Sequence, residues 1–376
     1  MKAAVITLAL SDNYGAALQT CGLAWALKKL GIESETYKYQ NWSRITYGMS
    51  TFSRIKYEGQ KVVKQLLTQG MRQKRFDTFR TKYIPMTSHL YRNNEELRQT
   101  PGDYDVYISG SDQIWNPKLF VFDYSYFLDF VPEEAKRISY ASSFGKTSFE
   151  SAYREKCGQL LGRYSHISVR EKSGEAIVAD LCGKKAQTCL DPTLLLTKQD
   201  WEPMMADASE QAKSFKGILC YIMPGDKVVE NAIESLARQL QHKTGFPIMR
   251  LGIKEYNLFR YPVGQTDVKA GPAEFLAYFA GAKYVVTNSF HGTAFGMNFG
   301  KECYIPVNYS LQREAALHER ILSLLELTQA QEFIVSAENP VLLKNRCIDH
   351  ERITTCLARL REESFEYLKQ ALEITQ

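Results

Sequence analysis

The chain has 376 residues, of which 44% are hydrophobic, 24% charged and 12% aromatic. This composition excludes a disordered or fibrous protein, and the length predicts two domains rather than one. With 47 Lys and Arg residues against 42 Asp and Glu residues, the net charge is +5. So small an excess argues against a general nucleic-acid-binding protein but permits the binding of small anions or an acidic membrane surface.

The cysteine pattern and the amino terminus indicate a cytoplasmic protein. The eight cysteines contain no Cys-x-x-Cys pair and no spacing with His that is typical of zinc sites, so we expect reduced thiols and no obligatory metal. The first ten residues lack the architecture of a cleavable signal peptide. No apolar run approaches the ~20 residues that span a bilayer, so we expect any membrane contact to be peripheral.

The first elements along the chain form a strand–helix–strand unit. Residues 3–10 are apolar and β-prone, and a polar turn follows at 11–13. The helical pattern that comes next ends at Gly31, a residue suited to a left-handed cap, and strand character resumes over 32–39. Such a unit predicts a parallel sheet with right-handed crossovers, and hence an α/β domain.

A basic amphipathic stretch follows at 54–82. It carries nine Lys and Arg residues against two acidic ones, interleaved with apolar residues. One interpretation is the solvated face of a helix, and the other is attraction to anionic lipid or to a pyrophosphate-bearing acceptor. Peripheral contact with the inner membrane is therefore one hypothesis for this stretch.

The rest of the chain alternates strands and helices in two blocks. Strands of the first block end in small or polar clusters near 110, 142 and 170, where sheets of this kind hold ligands. A polar stretch at 197–216 is interpreted as a linker. The pattern predicts two Rossmann-like, doubly wound domains that face a cleft. We assign them to residues 1–196 and 217–335, with a helical tail at 336–376 that packs back on the body.

The segment NSFHGT, which begins at Asn288, comes at a predicted strand end and starts a helix. Unpaired backbone N–H groups and the helix dipole favour a phosphate or carboxylate there. Ser289 and Thr293 add hydroxyl donors, and Gly292 permits close approach of a ligand. His291 supplies a group that exchanges a proton near neutral pH, and it is the leading catalytic candidate, with a structural hydrogen-bonding role as the alternative.

The loop GSDQIWNP, which begins at Gly110, also follows a predicted strand. Asp112 is suited to accept a proton from a hydroxyl, while Trp115 is suited to stack on a sugar face. The alternative is that Ser111 or Asp112 caps the next helix and Trp115 fills the core. The candidate substrate-binding residues of this loop are Gly110, Ser111, Gln113, Trp115 and Asn116.

Weaker candidates lie elsewhere in the chain. Asn13, Tyr14 and Gly15 open the first helix, where they are placed to cradle an anion or a sugar. Because this turn lacks the G-x-G-x-x-G pattern and the Walker lysine, NAD and ATP are disfavoured and no cofactor is expected. Arg170, directly after a strand, is either a clamp for an anion or part of a salt bridge, and Lys301 is either an anion ligand or a residue of a solvated turn.

These clusters, in this order, resemble the polysaccharide pyruvyl transferase family over nearly the whole chain. The matching stretches are NYGAALQT from Asn13, GSDQIWNP from Gly110, VRE from Val169, DPTLL from Asp191 and NSFHGTAF from Asn288. The resemblance implies a two-domain glycosyltransferase-B-like fold and phosphoenolpyruvate as co-substrate. It further implies a nucleotide- or lipid-linked glycan as acceptor, and a pyruvate ketal as product, in the biosynthesis of a capsule or exopolysaccharide.

Under this resemblance His291 is the acid and Asp112 the base of the transfer. One position departs from the family pattern, since many members carry a basic residue two positions before the motif histidine, where this chain has Ser289. Either Arg170 or Lys301 then takes over the donor's negative charge, or the substrate differs. Two alternatives stay open: a nucleotide-sugar glycosyltransferase of the same architecture, and a non-catalytic glycan-binding relative.

Overall fold

The computed structural model describes residues 1–41, 69–117, 122–149, 151–252, 263–309, 315–342 and 347–374. The chain divides into two compact units. The first contains Met1–Leu195 and Leu360–Gln376, and the second contains Leu196–Arg359.

The first unit is built on a parallel sheet. Its strands are β1 (Lys2–Ile6), β2 (Glu33–Tyr39), β3 (Met86–Tyr91), β4 (Val106–Ser109) and β5 (Arg137–Ser139). They lie in the order β3-β2-β1-β4-β5, and every neighbouring pair is parallel. The short strands β6 (Ser168–Val169) and β7 (Gln187–Thr188) pair with each other beyond β5. The winding reverses between β1 and β4, which makes the carboxyl edge there the expected position for a ligand.

Helices cover both faces of this sheet. They are α1 (Tyr14–Lys29), α2 (Gln69–Tyr83), α3 (Asn94–Gln99), α4 (Arg154–Gly162), α5 (Lys172–Cys182) and α6 (Pro192–Leu195). Helix α1 begins where the Asn13 side chain accepts a hydrogen bond from the Ala16 N–H, and the chain turns after it at Gly31, with φ of +74°. A Cβ at Gly22 would lie 2.5 Å from the Pro192 carbonyl oxygen, so glycine allows α1 and α6 to pack closely.

Alternate residues of β4 enter two separate apolar cores. Tyr107 packs in a cluster with Trp115 and Phe127, whereas Val106 and Ile108 pack on the other face of the sheet. The second cluster includes Tyr367, Leu368 and Leu372 near the end of the chain. Burial on both faces is the arrangement expected of a parallel sheet covered by helices.

The second unit repeats this architecture with six strands. These are β8 (Gly217–Tyr221), β9 (Ile248–Leu251), β10 (Gln265–Thr266), β11 (Ala282–Thr287), β12 (Glu302–Val307) and β13 (Ile334–Ser336), in the order β10-β9-β8-β11-β12-β13. All pairs are parallel, and the winding reverses between β8 and β11. The helices of this unit are α7 (Lys198–Met205), α8 (Glu210–Ser214), α9 (Lys227–Thr244), α10 (Pro272–Gly281), α11 (Phe290–Asn298) and α12 (Ala315–Leu327). A last helix, α13 (His350–Leu372), ends in the first unit.

The stretch 197–216, predicted to be a linker, instead folds as α7 and α8. Thr197 caps α7 in a reciprocal capping box with Asp200, and Trp201 in that helix is fully buried. In the carboxyl-terminal tail, the residues from Leu360 onward pack on the first unit, where the Tyr367 hydroxyl donates to the Ser139 carbonyl at 2.8 Å.

The basic stretch lies only partly within the described residues. Residues 54–68 fall outside them, and 69–82 belong to α2. Arg80 is buried, and its guanidinium donates to the Ala9 carbonyl at 3.1 Å and to the Asp12 carboxylate at 2.5 Å. This end of the stretch therefore holds the loop after β1. Across the described residues we find no helix with both the length and the apolar character of a membrane span.

Candidate functional site

In the first unit the loops after β1 and β4 join at the reversal point of the sheet. The Thr7 hydroxyl donates to the Ser111 carbonyl at 2.8 Å and accepts from the Gln19 amide at 2.9 Å. The Gly110 N–H donates to the Ile6 carbonyl at 2.9 Å, and a Cβ at Gly110 would lie only 3.0 Å from that of Thr7. The missing side chain of Gly110 thus favours close packing of the two loops.

Asp112 occupies a strained backbone position in this edge. Its φ is +74°, in the left-handed region that asparagine and aspartate tolerate better than most residues. The Asp112 carbonyl accepts from Ser143 N–H at 3.0 Å and from Ile114 N–H at 2.7 Å. Its side-chain Oδ1 accepts from Gln113 N–H at 2.8 Å, and 13% of the side chain stays exposed. Residues with such backbone strain are concentrated at functional sites.

Arg170 lies beneath Asp112 and is buried among carboxylates. Its guanidinium is 2.9 Å from Asp191, 3.7 Å from Asp112 and 4.0 Å from Glu171. Burial alone would lower the pKa of Arg170, but the three carboxylates raise it above its ordinary value. The Arg170 side chain is 1% exposed and forms ion pairs with carboxylates of the protein itself. These contacts correspond to the salt bridge that the sequence analysis gave as the alternative to an anion clamp.

The sequence analysis assigned no role to the two acidic residues of this cluster. Asp191 accepts hydrogen bonds from the Ser111 hydroxyl at 3.1 Å and from the Thr193 N–H and hydroxyl at 3.0 and 2.8 Å. Glu171 Oε1 accepts from the Ser143 hydroxyl and from the Phe144 and Gly145 N–H groups. The available signals were the stretches VRE and DPTLL, which contain these two residues and which the sequence analysis quoted only for the family resemblance.

The other loop residues have structural contacts. Trp115 is fully buried, its indole N–H donates to the Tyr126 carbonyl at 2.9 Å, and its ring stacks on Phe127. It therefore fills the core, the alternative to stacking on a sugar. The Asn116 amide donates to Gln113 Oε1 at 2.7 Å, so these two side chains hold each other at the edge of the loop.

At the start of α1, Asn13 caps the helix and Tyr14 and Gly15 are buried in its first turn. The Arg72 guanidinium lies 4.9 Å from the centre of the Tyr14 ring, and it donates to the Asp12 carbonyl at 3.0 Å. A cation thus covers this helix N-terminus, although the sequence analysis gave Arg72 no role there.

In the second unit, the predicted histidine segment forms the junction of β11 and α11. Ser289 is the N-cap, and its hydroxyl accepts from the Gly292 N–H at 3.4 Å. A Cβ at Gly292 would lie 2.4 Å from the Thr287 hydroxyl oxygen, so this glycine allows the helix to pack on the strand end. The Thr293 hydroxyl donates to the Ser289 carbonyl at 3.0 Å.

Asn288 ties this junction to the loop after β8. Its side chain accepts from the Met223 N–H and donates to the Met223 carbonyl, both at 2.8 Å. His291 is in the first turn of α11 and is largely buried, at 8% exposure. The carboxyl edge therefore carries both a histidine and the N-terminus of a helix, two features that favour a proton transfer and a bound anion.

Lys301 lies at the opposite edge of the same sheet. It immediately precedes β12, whereas Ser289 follows the end of the parallel neighbour β11. Its ammonium donates to the Ala280 carbonyl at 2.6 Å. Since six strand residues extend over roughly 20 Å, Lys301 does not reach an anion bound beside His291, contrary to the prediction. Burial, together with Lys198 and Lys283, lowers the pKa of Lys301 to about 8.

The structure thus brings the candidates together in two groups. One group is at the carboxyl edge of the first sheet around Asp112, and the other is at the carboxyl edge of the second sheet around His291. Within the described ranges, no group of three or more His, Cys, Asp or Glu side chains is arranged to hold a metal ion.

The comparisons with known proteins concern family and fold. A family model described as polysaccharide pyruvyl transferase matches residues 13–310. No curated protein sequence matches the chain significantly. A putative UDP-N-acetylglucosamine 2-epimerase from Listeria monocytogenes is 11% identical, with a TM-score of 0.53 over 98% of this chain and 90% of the other. The UDP-GlcNAc 2-epimerase from Methanocaldococcus jannaschii is also 11% identical, with a TM-score of 0.51 over 100% of both chains.

These two structures are similar to the chain in fold alone. They confirm the predicted class, an α/β fold of two Rossmann-like domains with parallel sheets, of the glycosyltransferase-B type.

Proposed function

Because the chain belongs to the polysaccharide pyruvyl transferase family, we propose that it transfers a pyruvyl group from phosphoenolpyruvate to a sugar of a nucleotide- or lipid-linked glycan. The product is a pyruvate ketal, made during the synthesis of a surface polysaccharide. The family match carries this proposal, since residues 13–310 include both the Asp112 and the His291 loops. Each loop lies at the carboxyl edge of a parallel sheet, where α/β folds place their ligands.

The proposed reaction converts one enol phosphate and two sugar hydroxyls into one ketal and one phosphate. His291, as imidazolium, donates a proton to the methylene carbon of phosphoenolpyruvate, which leaves an oxocarbenium-like centre at C2. A first sugar hydroxyl adds to C2 as Asp112 takes its proton. The C2–O bond to phosphate then breaks, and the second hydroxyl adds to C2. The two sugar hydroxyls release two protons. One of them restores the proton that His291 gave to the methylene carbon, and the other leaves with the phosphate.

The local contacts favour these roles. The N–H groups of the first turn of α11 are suited to negative charge on the donor, next to the imidazole that supplies the proton. Part of the Asp112 side chain is exposed, while its backbone carbonyl is fixed by hydrogen bonds from the Ile114 and Ser143 N–H groups. Pre-organised groups of this kind lower a barrier because they need little rearrangement in the transition state.

The test is the replacement His291→Gln, which keeps the size of the side chain but removes the proton donor. Acceptor-dependent release of phosphate from phosphoenolpyruvate should fall about 10²- to 10⁴-fold, with the melting temperature nearly unchanged. The matched control is His242→Gln, because His242 is exposed in the last turn of α9 in the same unit. Near wild-type turnover of H291Q would refute the assigned role of His291.

The identity of the released product separates this proposal from its alternatives. Release of a nucleoside diphosphate from a nucleotide sugar, without use of phosphoenolpyruvate, would favour a glycosyltransferase. Tight glycan binding without turnover of either donor would favour a non-catalytic relative.

A further inference from the structure

A buried cluster of charges under the Asp112 loop contains more carboxylates than cations. The side chains of Arg170, Glu171 and Asp191 are at most 1% exposed. Asp112 is the one member with access to solvent, at 13%. Burying charged side chains costs free energy unless they are paired and hydrogen-bonded, and apolar residues of similar volume often fill such a space with equal or greater stability. A role in function is therefore a reason for charged residues at these positions.

Asp191 fixes the position of the Arg170 guanidinium. Its Oδ2 accepts from Arg170 Nη1 at 2.9 Å and from the Ser111 hydroxyl at 3.1 Å, while its Oδ1 accepts from Thr193 twice. With both carboxylate oxygens held, Asp191 sets where the planar guanidinium lies. Arg170 Nη2 then comes within 3.7 Å of Asp112 Oδ1.

The two oxygens of Asp112 have different surroundings. Oδ1 accepts from the Gln113 N–H and faces Arg170. Among the described residues, Oδ2 has no hydrogen-bond partner. One oxygen is therefore used to hold the side chain, and the other remains available to a hydroxyl of the substrate.

We propose that Arg170 and Asp191 form a buried positioning pair that orients the Asp112 carboxylate for proton transfer. This inference rests on the proposed function and assigns Arg170 no contact with the donor. The pair acts through Asp112, by holding Oδ1 so that Oδ2 points to the substrate. A lysine at 170 would keep the charge but would lack the fork that bonds Asp191 and reaches Asp112 together.

The test is a double-mutant cycle with Arg170→Lys and Asp112→Asn. R170K should lower kcat about tenfold or more, because the Asp112 carboxylate would lose its orientation, and it should change the KM for phosphoenolpyruvate less than about threefold, because Arg170 does not contact the donor. In the D112N background, the same change should alter the residual kcat less than about twofold. Arg154→Lys is the matched control, since Arg154 forms an exposed ion pair with Asp180 in the same unit.

Three outcomes would overturn the inference. The first is a multiplicative loss in the double variant, which would mean that Arg170 acts independently of Asp112. The second is a rise in the KM for phosphoenolpyruvate at unchanged kcat, which would mean that Arg170 contributes to binding of the donor. The third is wild-type kinetics for R170K.

The same cycle measured by urea unfolding separates this inference from the proposed function. If wild-type protein transfers no pyruvyl group, the proposed function fails. Non-additive losses of unfolding free energy would then still support the Arg170–Asp112 link, whereas additive losses would overturn it.

Discussion

Because the backbone at Asp112 is left-handed, replacement of this residue by glycine should destabilise the protein less than replacement by alanine, the reverse of the usual order. At an ordinary helical or extended position, glycine is less stable than alanine by about 0.5–1 kcal/mol, because it loses more conformational freedom on folding. At φ of +74° the Cβ of alanine is strained and glycine is not. We therefore expect Asp112→Gly to be more stable than Asp112→Ala.

The magnitude follows from the difference between the two variants. Both lose the hydrogen bond from the Gln113 N–H to Oδ1 and both leave Arg170 with one carboxylate fewer, so these costs cancel. What remains is the backbone term, about 1 kcal/mol in favour of glycine. Neither variant has a carboxylate at 112, so the account predicts that both lose turnover about 10²- to 10⁴-fold.

The assay is equilibrium unfolding in urea, combined with phosphate release from phosphoenolpyruvate. The control pair is Glu362→Gly and Glu362→Ala on the exposed face of α13, where alanine should be the more stable by about 0.5–1 kcal/mol. If D112A were as stable as D112G, the backbone at 112 would not be left-handed. If D112G turned over substrate at the wild-type rate, Asp112 would not be the base.

Three further predictions concern the second unit. Gly292→Ala should lower the free energy of unfolding by about 1–3 kcal/mol, because the new Cβ would lie 2.4 Å from the Thr287 hydroxyl oxygen. The control is Gly162→Ala, which should not destabilise the protein because a Cβ there has no atom within 4 Å. Thermal unfolding of the two variants tests this difference. Asn288→Ala should cost about 1–3 kcal/mol in urea unfolding, since it removes both bonds to Met223, and a cost near zero would contradict that anchoring. The pKa of Lys301 is about 8 in the folded protein and about 10.4 in the unfolded chain, so between these pH values the unfolded state binds one more proton. The free energy of unfolding of the wild-type protein should therefore rise relative to that of Lys301→Met as pH increases from about 8 towards 10.4. A difference that does not change with pH would contradict the lowered pKa.

Local signals in the sequence predicted the elements that carry the site. Asn13 and Ser289 lie where capping residues precede helices, and the structure places each as an N-cap. Apolar runs before the Gly110 and Asn288 segments predicted the strands that end there. These signals depend on neighbouring residues, so a single sequence reveals them.

Contacts between distant segments were not predictable in the same way. Arg170 meets Asp191 because β6 and β7 pair, and this pairing has no local signature. The sequence left open whether Trp115 stacks on a sugar or fills the core, because the aromatic residues that bury it come later in the chain. The polar composition of 197–216 concealed the apolar face of α7, which buries Trp201.

Lys301 shows a different reason for error. Lys301 is ten residues from His291 in the sequence, but this closeness along the chain does not bring the two residues together in space. Helix α11 begins at the carboxyl edge of the sheet and returns the chain to the amino edge, where β12 begins. A helix between parallel strands always spans the sheet in this way, so residues at its two ends lie at opposite edges.

The central claim, pyruvyl transfer from phosphoenolpyruvate to a sugar, is tested most directly by mass spectrometry of the acceptor. The probes are UDP-hexoses and undecaprenyl-diphosphate-linked hexoses, each incubated with phosphoenolpyruvate and the full-length chain. The account predicts a product heavier than its acceptor by one pyruvic acid less one water, with one phosphate released for each product formed. Phosphate released without a modified sugar, or a sugar modified without consumption of phosphoenolpyruvate, would contradict it.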